Sequence, residues 1–310
     1  MSAMHWLEVS VRTDGEGAEA VAELLRPFAY QESVVLQQLG DESTADPDAL
    51  EPYVTVLIYV PGDEDTPALR RRIEEILYHL GRLYPIPEPV FRELADEDWA
   101  NAWKAHYTPF RVGRRLKIWP AWLPRESDED ARPDDIILVL DPGMAFGTGL
   151  HPTTQGCLRA LEELIVPGAS VLDAGTGSGI LSVAAAKLGA VGIDAFDTDE
   201  LAVRATIDNA TQNNVRPSIH VWRGELDSVR HETSRETWDV VVANILAPVI
   251  IQLLSEKGLL SYLVADGRLV LSGIIVEQGP DVEAALASAG GRVLDTIVSG
   301  DWITFIAGHR

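Results

Sequence analysis

The chain opens on an alternation. From His5 to Arg12, Leu7, Val9 and Val11 fall on one side and Glu8, Ser10 and Arg12 on the other, the period-two pattern of a half-buried strand. Ala20, Val21, Leu24, Leu25 and Phe28 then recur at helical spacing, and Val34-Val35-Leu36 reads as a short strand before an acidic loop from Gly40 to Pro52. Tyr53 to Val60 predicts another strand. After Pro61-Gly62, Thr66 is placed to cap a helix whose apolar face is Leu69, Ile73, Ile76, Leu77 and Leu80, and Pro89 to Leu94 predicts a closing strand. The order βαββαβ predicts a ferredoxin-like α+β sandwich over residues 1–95.

The pattern breaks between about Ala95 and Gly113. There Trp99 and Trp103 stand one turn apart on a short helix, and residues 96–112 are expected to be a linker. Lys117 to Trp122 and Ile136 to Leu140 read as strands around an acidic loop. Strand and helix then alternate regularly. Strands are predicted at Val171 to Ala174, Val191 to Phe196, Ile219 to Trp222, Val240 to Ala243, Arg268 to Leu271 and as a pair within Arg292 to Ala307. Helices are predicted at Ser178 to Leu188, Asp199 to Asn213, and near Pro248 to Leu254 and Val282 to Ala289. This predicts an α/β domain over residues 113–310, with a parallel sheet covered on both faces. In such folds the ligand sits beyond the carboxyl ends of the strands, where the strand order reverses.

Composition narrows the chemistry. With 310 residues, 46% of them apolar, the chain can build two cores. The single cysteine, Cys157, excludes an intramolecular disulfide, and no closely spaced Cys and His residues suggest a metal site. No window resembles a membrane span and the first residues do not resemble a leader, so a cytoplasmic protein is expected. A formal charge of −23 opposes nucleic acid and makes a basic partner more plausible than an acidic one, and composition alone does not distinguish that from a charge that serves solubility only.

The strongest local motif is Asp173-Ala174-Gly175-Thr176-Gly177-Ser178-Gly179, at a strand-to-helix turn, where glycines let a ligand approach the main chain. A dinucleotide fingerprint needs glycine at position 180, which is Ile180. The spacing present suits S-adenosylmethionine instead, and Asp173 suits its cationic sulfonium and amino acid tail. Asp197 ends the next predicted strand, placed to accept both ribose hydroxyls, while Asp199 is the better helix cap. Asn244 ends the strand from Trp238, at the switch-point rim, where a carboxamide oxygen can accept from an incoming amine and orient it. The stretch from Asp141 to Thr154 is glycine-rich and suits a loop folding over a ligand. In it Thr154 either bonds the ligand or caps the following helix, and His151 is read as structural.

These residues together resemble the PrmA family, the methyltransferases of ribosomal protein L11. The resemblance rests on Glu97-Asp98-Trp99 with Trp103, Leu116 to Trp122, Phe146-Gly147-Thr148-Gly149 with His151-Pro152-Thr153-Thr154, Asp173 to Gly179, Val242 to Leu246, and Ser272-Gly273-Ile274 with Gln278. The stretch around Phe146 is far more specific than the glycine motif. The resemblance implies a seven-stranded, Rossmann-like class I methyltransferase domain preceded by a ferredoxin-like domain that grips the ribosomal protein. It implies methyl transfer from S-adenosylmethionine to lysine side chains and the N-terminal amine of that protein. It places cofactor contacts on Thr154, Gly175, Asp197 and Asn244, joined by Asp173, Gly177 and Gly179 of the motif. A monomer free of nucleic acid and membrane is expected. The sequence departs from the family at Phe196-Asp197-Thr198-Asp199-Glu200, where an Asp-x-Asp-Pro turn is usual, and in the acidic loop from Gly40.

Three other functions compete with this one. They are methylation of lysine on a non-ribosomal target, a noncatalytic RNA- or ribosome-binding module, and an NAD-dependent dehydrogenase. The absence of Lys before Lys104 weighs against the second and Ile180 against the third.

Overall fold

The computed structural model describes residues 5–29, 34–37, 53–62, 64–82, 86–95, 108–124, 128, 130–141 and 149–310. The expected acidic loop from Gly40, the Trp99 and Trp103 helix, and the Phe146-Gly147-Thr148 stretch lie outside these residues. The chain divides into two compact units, Met1–Tyr107 and Thr108–Arg310.

In the first unit the elements are β1 (His5–Thr13), α1 (Gly15–Leu25), β2 (Val34–Gln37), β3 (Val54–Pro61), α2 (Pro67–Gly81) and β4 (Val90–Ala95). The sheet order is β2-β3-β1-β4, with every neighbouring pair antiparallel, as a ferredoxin-like sandwich requires. Alternation makes this core: Leu7, Val9 and Val11 from β1 and Val54, Val56, Ile58 and Val60 from β3 bury one sheet face against Ile73 and Leu77 of α2. Thr66 caps α2 as expected, accepting from the Leu69 N–H at 3.2 Å. On α1 the buried stripe is Ala18, Val21, Ala22 and Leu25, whereas the expected Ala20 is exposed, because a small residue does not fix a helix face by its apolarity alone.

The second unit begins at Thr108, ahead of the expected start at Gly113, because β5 (Phe110–Val112) pairs antiparallel with β6 (Leu116–Pro120). β6 pairs parallel with β7 (Ile136–Leu140) to complete a three-stranded sheet. The buried Lys117 ammonium ion-pairs with Asp128 and Asp130. At the β5–β6 turn Gly113 adopts φ +66°, and the Glu162 carboxylate accepts the next two N–H groups, of Arg114 and Arg115, each at 2.7 Å. Glu162 lies on α3 (Pro152–Leu164), so this small sheet is pinned to the helix that carries Thr154.

The main sheet follows from β8 (Val171–Ala174), α4 (Ile180–Lys187), β9 (Ile193–Asp197), α5 (Glu200–Gln212), β10 (Ile219–Arg223), α6 (Val229–Glu232), β11 (Trp238–Asn244), α7 (Ala247–Ser255), β12 (Leu263–Ile275), α8 (Gly279–Ser288), β13 (Gly291–Ser299) and β14 (Trp302–His309). Its order is β10-β9-β8-β11-β12-β14-β13, so the order reverses between β8 and β11. Seven strands are present, but the sheet is mixed: β14 runs antiparallel to both β12 and β13. The expected parallel sheet is corrected on this point. β13 and β14 join through a tight turn, which only an antiparallel pair can use.

Candidate functional site

Register places the candidate residues on one rim. Ala174 of β8 lies level with Phe196 of β9 and with Ala243 of β11, so Gly175, Asp197 and Asn244 each stand one step beyond a matched row. Those three positions cap adjacent parallel strands at their carboxyl ends, on both sides of the switch point.

The glycine turn is shaped by contacts from both flanks. Gly175, Gly177 and Gly179 all take positive φ, of 79°, 57° and 80°. A Cβ on Gly175 would meet the Ile245 side chain at 2.6 Å, so the turn and the segment after Asn244 are in contact. A Cβ on Gly179 would stand 2.8 Å from the Thr206 backbone, so α5 occupies the space beside it. Gly179 is therefore required by helix packing, whatever its part in ligand binding.

Asp173 is fully buried at the base of the turn. Its Oδ2 accepts from the Thr176 hydroxyl at 2.9 Å and the Ser182 hydroxyl at 2.6 Å, while its Oδ1 is buried with no hydrogen-bond partner. Burial pushes its pKa up to about 6; the two hydroxyls counter this and the nearby Asp197 adds to it. Asp197 is half-buried, accepting from the Gly177 N–H at 2.9 Å through Oδ2 and from the Asp199 N–H at 3.0 Å through Oδ1. Asp199 caps α5, accepting from the Leu201 N–H at 2.8 Å, which leaves Asp197 free of that task, as the sequence suggested.

Across the rim, Asn244 Nδ2 donates to the Thr154 hydroxyl at 3.3 Å, and Asn244 Oδ1 is buried without a hydrogen-bond partner. Thr154 is fully buried and does not cap α3; the cap is His151, whose Nδ1 accepts from the Thr153 N–H at 3.4 Å. His151 also packs edge-on against Trp302 at 4.7 Å, and burial lowers its pKa to about 4, so it is a neutral structural residue at physiological pH. Gly273 is marked in the sequence only within a stretch resembling the family, with no role assigned. It takes φ +82° in an irregular stretch of β12, and a Cβ there would lie 2.3 Å from the Ile245 carbonyl oxygen. The Ile245 N–H donates to the Ser272 carbonyl at 3.1 Å. This close backbone approach fixes the chain directly after Asn244.

The donor set fits a small, partly cationic ligand with an amino acid tail. Two buried acceptor oxygens, Asp173 Oδ1 and Asn244 Oδ1, lack partners, and an unpaired buried acceptor is costly unless a ligand satisfies it. Among the described residues no cluster of three His, Cys, Asp or Glu side chains could hold a metal, and no helix is long and apolar enough to cross a membrane.

The chain is similar over nearly its whole length to proteins of one family. A family model described as Ribosomal protein L11 methyltransferase (PrmA) matches residues 5–310. The ribosomal protein L11 methyltransferase of Chloroflexus aurantiacus is 39% identical over 336 residues, covering 100% of this chain and 99% of that protein. That of Herpetosiphon aurantiacus is 39% identical over 330 residues, covering 99% of each. A crystal structure of a ribosomal protein L11 methylase from Lactobacillus delbrueckii subsp. bulgaricus is 33% identical, with a TM-score of 0.58, covering 66% of this chain and 98% of that one.

Proposed function

This chain belongs to the ribosomal protein L11 methyltransferase (PrmA) family, and we propose that it transfers methyl groups from S-adenosylmethionine to amines of ribosomal protein L11 at the rim formed by Asp173, Asp197 and Asn244. The observation that carries this reading is the pair of unpartnered buried oxygens, one on each side of the switch point, beside a glycine turn.

Bound there, S-adenosylmethionine supplies an electrophilic methyl carbon that an uncharged amine can attack in line. The protein's task is binding and orientation. Asp197 holds the ribose hydroxyls, and Asp173 with the turn holds the amino acid tail. Asn244 Oδ1 accepts from the acceptor amine and so turns its lone pair toward the methyl group, while Thr154 fixes the carboxamide so that its oxygen, not its NH2, faces the site. A lysine acceptor must first lose a proton, at a cost of about 4 kcal/mol at pH 7.4; an α-amine needs well under 1 kcal/mol. A water-excluding pocket lowers the lysine cost.

The first unit is assigned the docking of the substrate protein. The acidic balance of the chain suits a basic ribosomal protein. Mass spectrometry of L11 incubated with the full-length protein and labelled S-adenosylmethionine tests the activity: methylated lysine and N-terminal amine are expected, and unmodified L11 beside another modified target would refute the substrate. A chain beginning at Asp96 should bind cofactor normally and fail on intact L11. Full-rate methylation by that shorter chain would remove the docking role.

A further inference from the structure

α5 turns a polar stripe inward. Thr206, Asn209 and Asn213 recur at helical spacing, and all three are buried. Burying carboxamides is unfavourable unless specific bonds compensate, so the partners define their use. Asn213 serves the outer edge of β7: its Oδ1 accepts from the Val139 N–H at 2.9 Å and its Nδ2 donates to the Val139 carbonyl at 2.6 Å, as a neighbouring strand would. Asn209 does something different. Its Nδ2 donates to the Ser178 carbonyl of the glycine turn at 2.9 Å, and its Oδ1 accepts from the Asp141 N–H, just beyond β7, at 3.0 Å. Thr206 supports the same turn, donating to the Gly177 carbonyl at 3.1 Å.

We propose that Asn209 is a positioning residue for the cofactor: its carboxamide locks the glycine turn to the end of β7, fixing the peptide planes between Gly177 and Gly179 in the orientation that receives the ligand. The proposal rests on the glycine turn being the S-adenosylmethionine site. Asn213 is the internal control, because it ties the same helix to the same strand without touching the turn. Both asparagines contribute to folding, and only Asn209 contributes to the shape of the site.

The test uses the full-length protein and titration calorimetry with S-adenosylhomocysteine, alongside thermal midpoints and steady-state kinetics on L11. Asn209→Ala and the isosteric Asn209→Asp, which keeps the acceptor for Asp141 but faces the Ser178 carbonyl with oxygen, should each weaken binding by about tenfold or more. Their KM for S-adenosylmethionine should rise while kcat at saturating cofactor stays within about threefold of wild type. Asn213→Ala should lower the thermal midpoint at least as much and leave affinity within about twofold. The proposal is overturned if both Asn209 variants bind as wild type does, if affinity falls in Asn213→Ala in step with stability, or if only the Asn209 variants fail to fold. Failure of the wild-type protein itself to bind S-adenosylhomocysteine would sink the cofactor reading, a result visible before any variant is compared.

Discussion

Replacing Asp173 by asparagine removes a negative charge from a side chain with no solvent exposure while keeping its shape. The carboxyl titrates at about 6, against an ordinary value of 3.8, chiefly because burial disfavours the charge. Between those values the native state binds more protons than the unfolded chain. The stability this group contributes is therefore complete below the unfolded value and is lost as pH rises through about 6. Over the full window the loss is about 3 kcal/mol, and somewhat more than about 1 kcal/mol of it falls between pH 5 and pH 8. Asp135 and Asp239, whose carboxylates are held low, Asp135 chiefly by a hydrogen bond from Arg111 and Asp239 by one from the Ser170 backbone, act in the opposite sense. The wild-type curve alone thus mixes the effects, and the difference between wild type and Asp173→Asn isolates the one of interest.

The assay is urea unfolding of ligand-free protein at pH 5 and pH 8, read by hydrogen exchange in peptides spanning 171–185 so that the second unit is followed separately from the first. The variant should gain on wild type by more than about 1 kcal/mol between the two pH values. The same variant should bind S-adenosylmethionine more weakly, and wild-type affinity should fall as pH drops through about 6 while that of the variant stays flat. Parallel stability curves at both pH values would show that Asp173 is ionised at no unusual cost, and the argument from its buried oxygen would then fail.

Asp197→Ala should weaken S-adenosylmethionine binding by roughly 1.5 to 3 kcal/mol, since the ribose and the Gly177 N–H both lose their acceptor; calorimetry showing unchanged affinity in a folded variant would remove the ribose assignment. Asn244→Ala should weaken cofactor binding much less than it slows single-turnover methylation, the latter by more than about tenfold, and a normal rate would take Asn244 out of the mechanism. Gly273→Ala should cost more than about 2 kcal/mol, because the new Cβ meets the Ile245 backbone and the residue must hold φ +82°. An unchanged melting temperature would contradict that contact.

Where one residue type admits few local conformations, the sequence was readable. Alternating Leu7, Val9 and Val11 can bury one face only as a strand, and glycine spacing after β8 leaves few turns available. Asp197 and Asn244 were readable as strand-end positions, and Asp199, which directly precedes α5, as that helix's cap. The antiparallel direction of β14 was not legible, since a buried strand reads alike in either direction and only the short turn after Ser299 decides it. Thr154 was ambiguous for a related reason: threonine near a helix start commonly caps, and the cap here passed to His151, leaving the hydroxyl for Asn244.

The least legible residues were Thr206, Asn209 and Asn213, because polar side chains recurring at helical spacing ordinarily mark a solvated face. What inverts that reading is tertiary. The outer edge of β7 and the carbonyls of the glycine turn leave backbone groups that need partners in a place water does not reach, and α5 is the element laid across them. Asp173 follows the same logic in reverse. Its acidity is written in the sequence, but its raised pKa arises only when the turn packs around it and leaves one oxygen unpaired. Two positions that the fold leaves electrostatically unfinished, Asp173 and Asn244, therefore stand among those proposed for the ligand, and binding there would complete them.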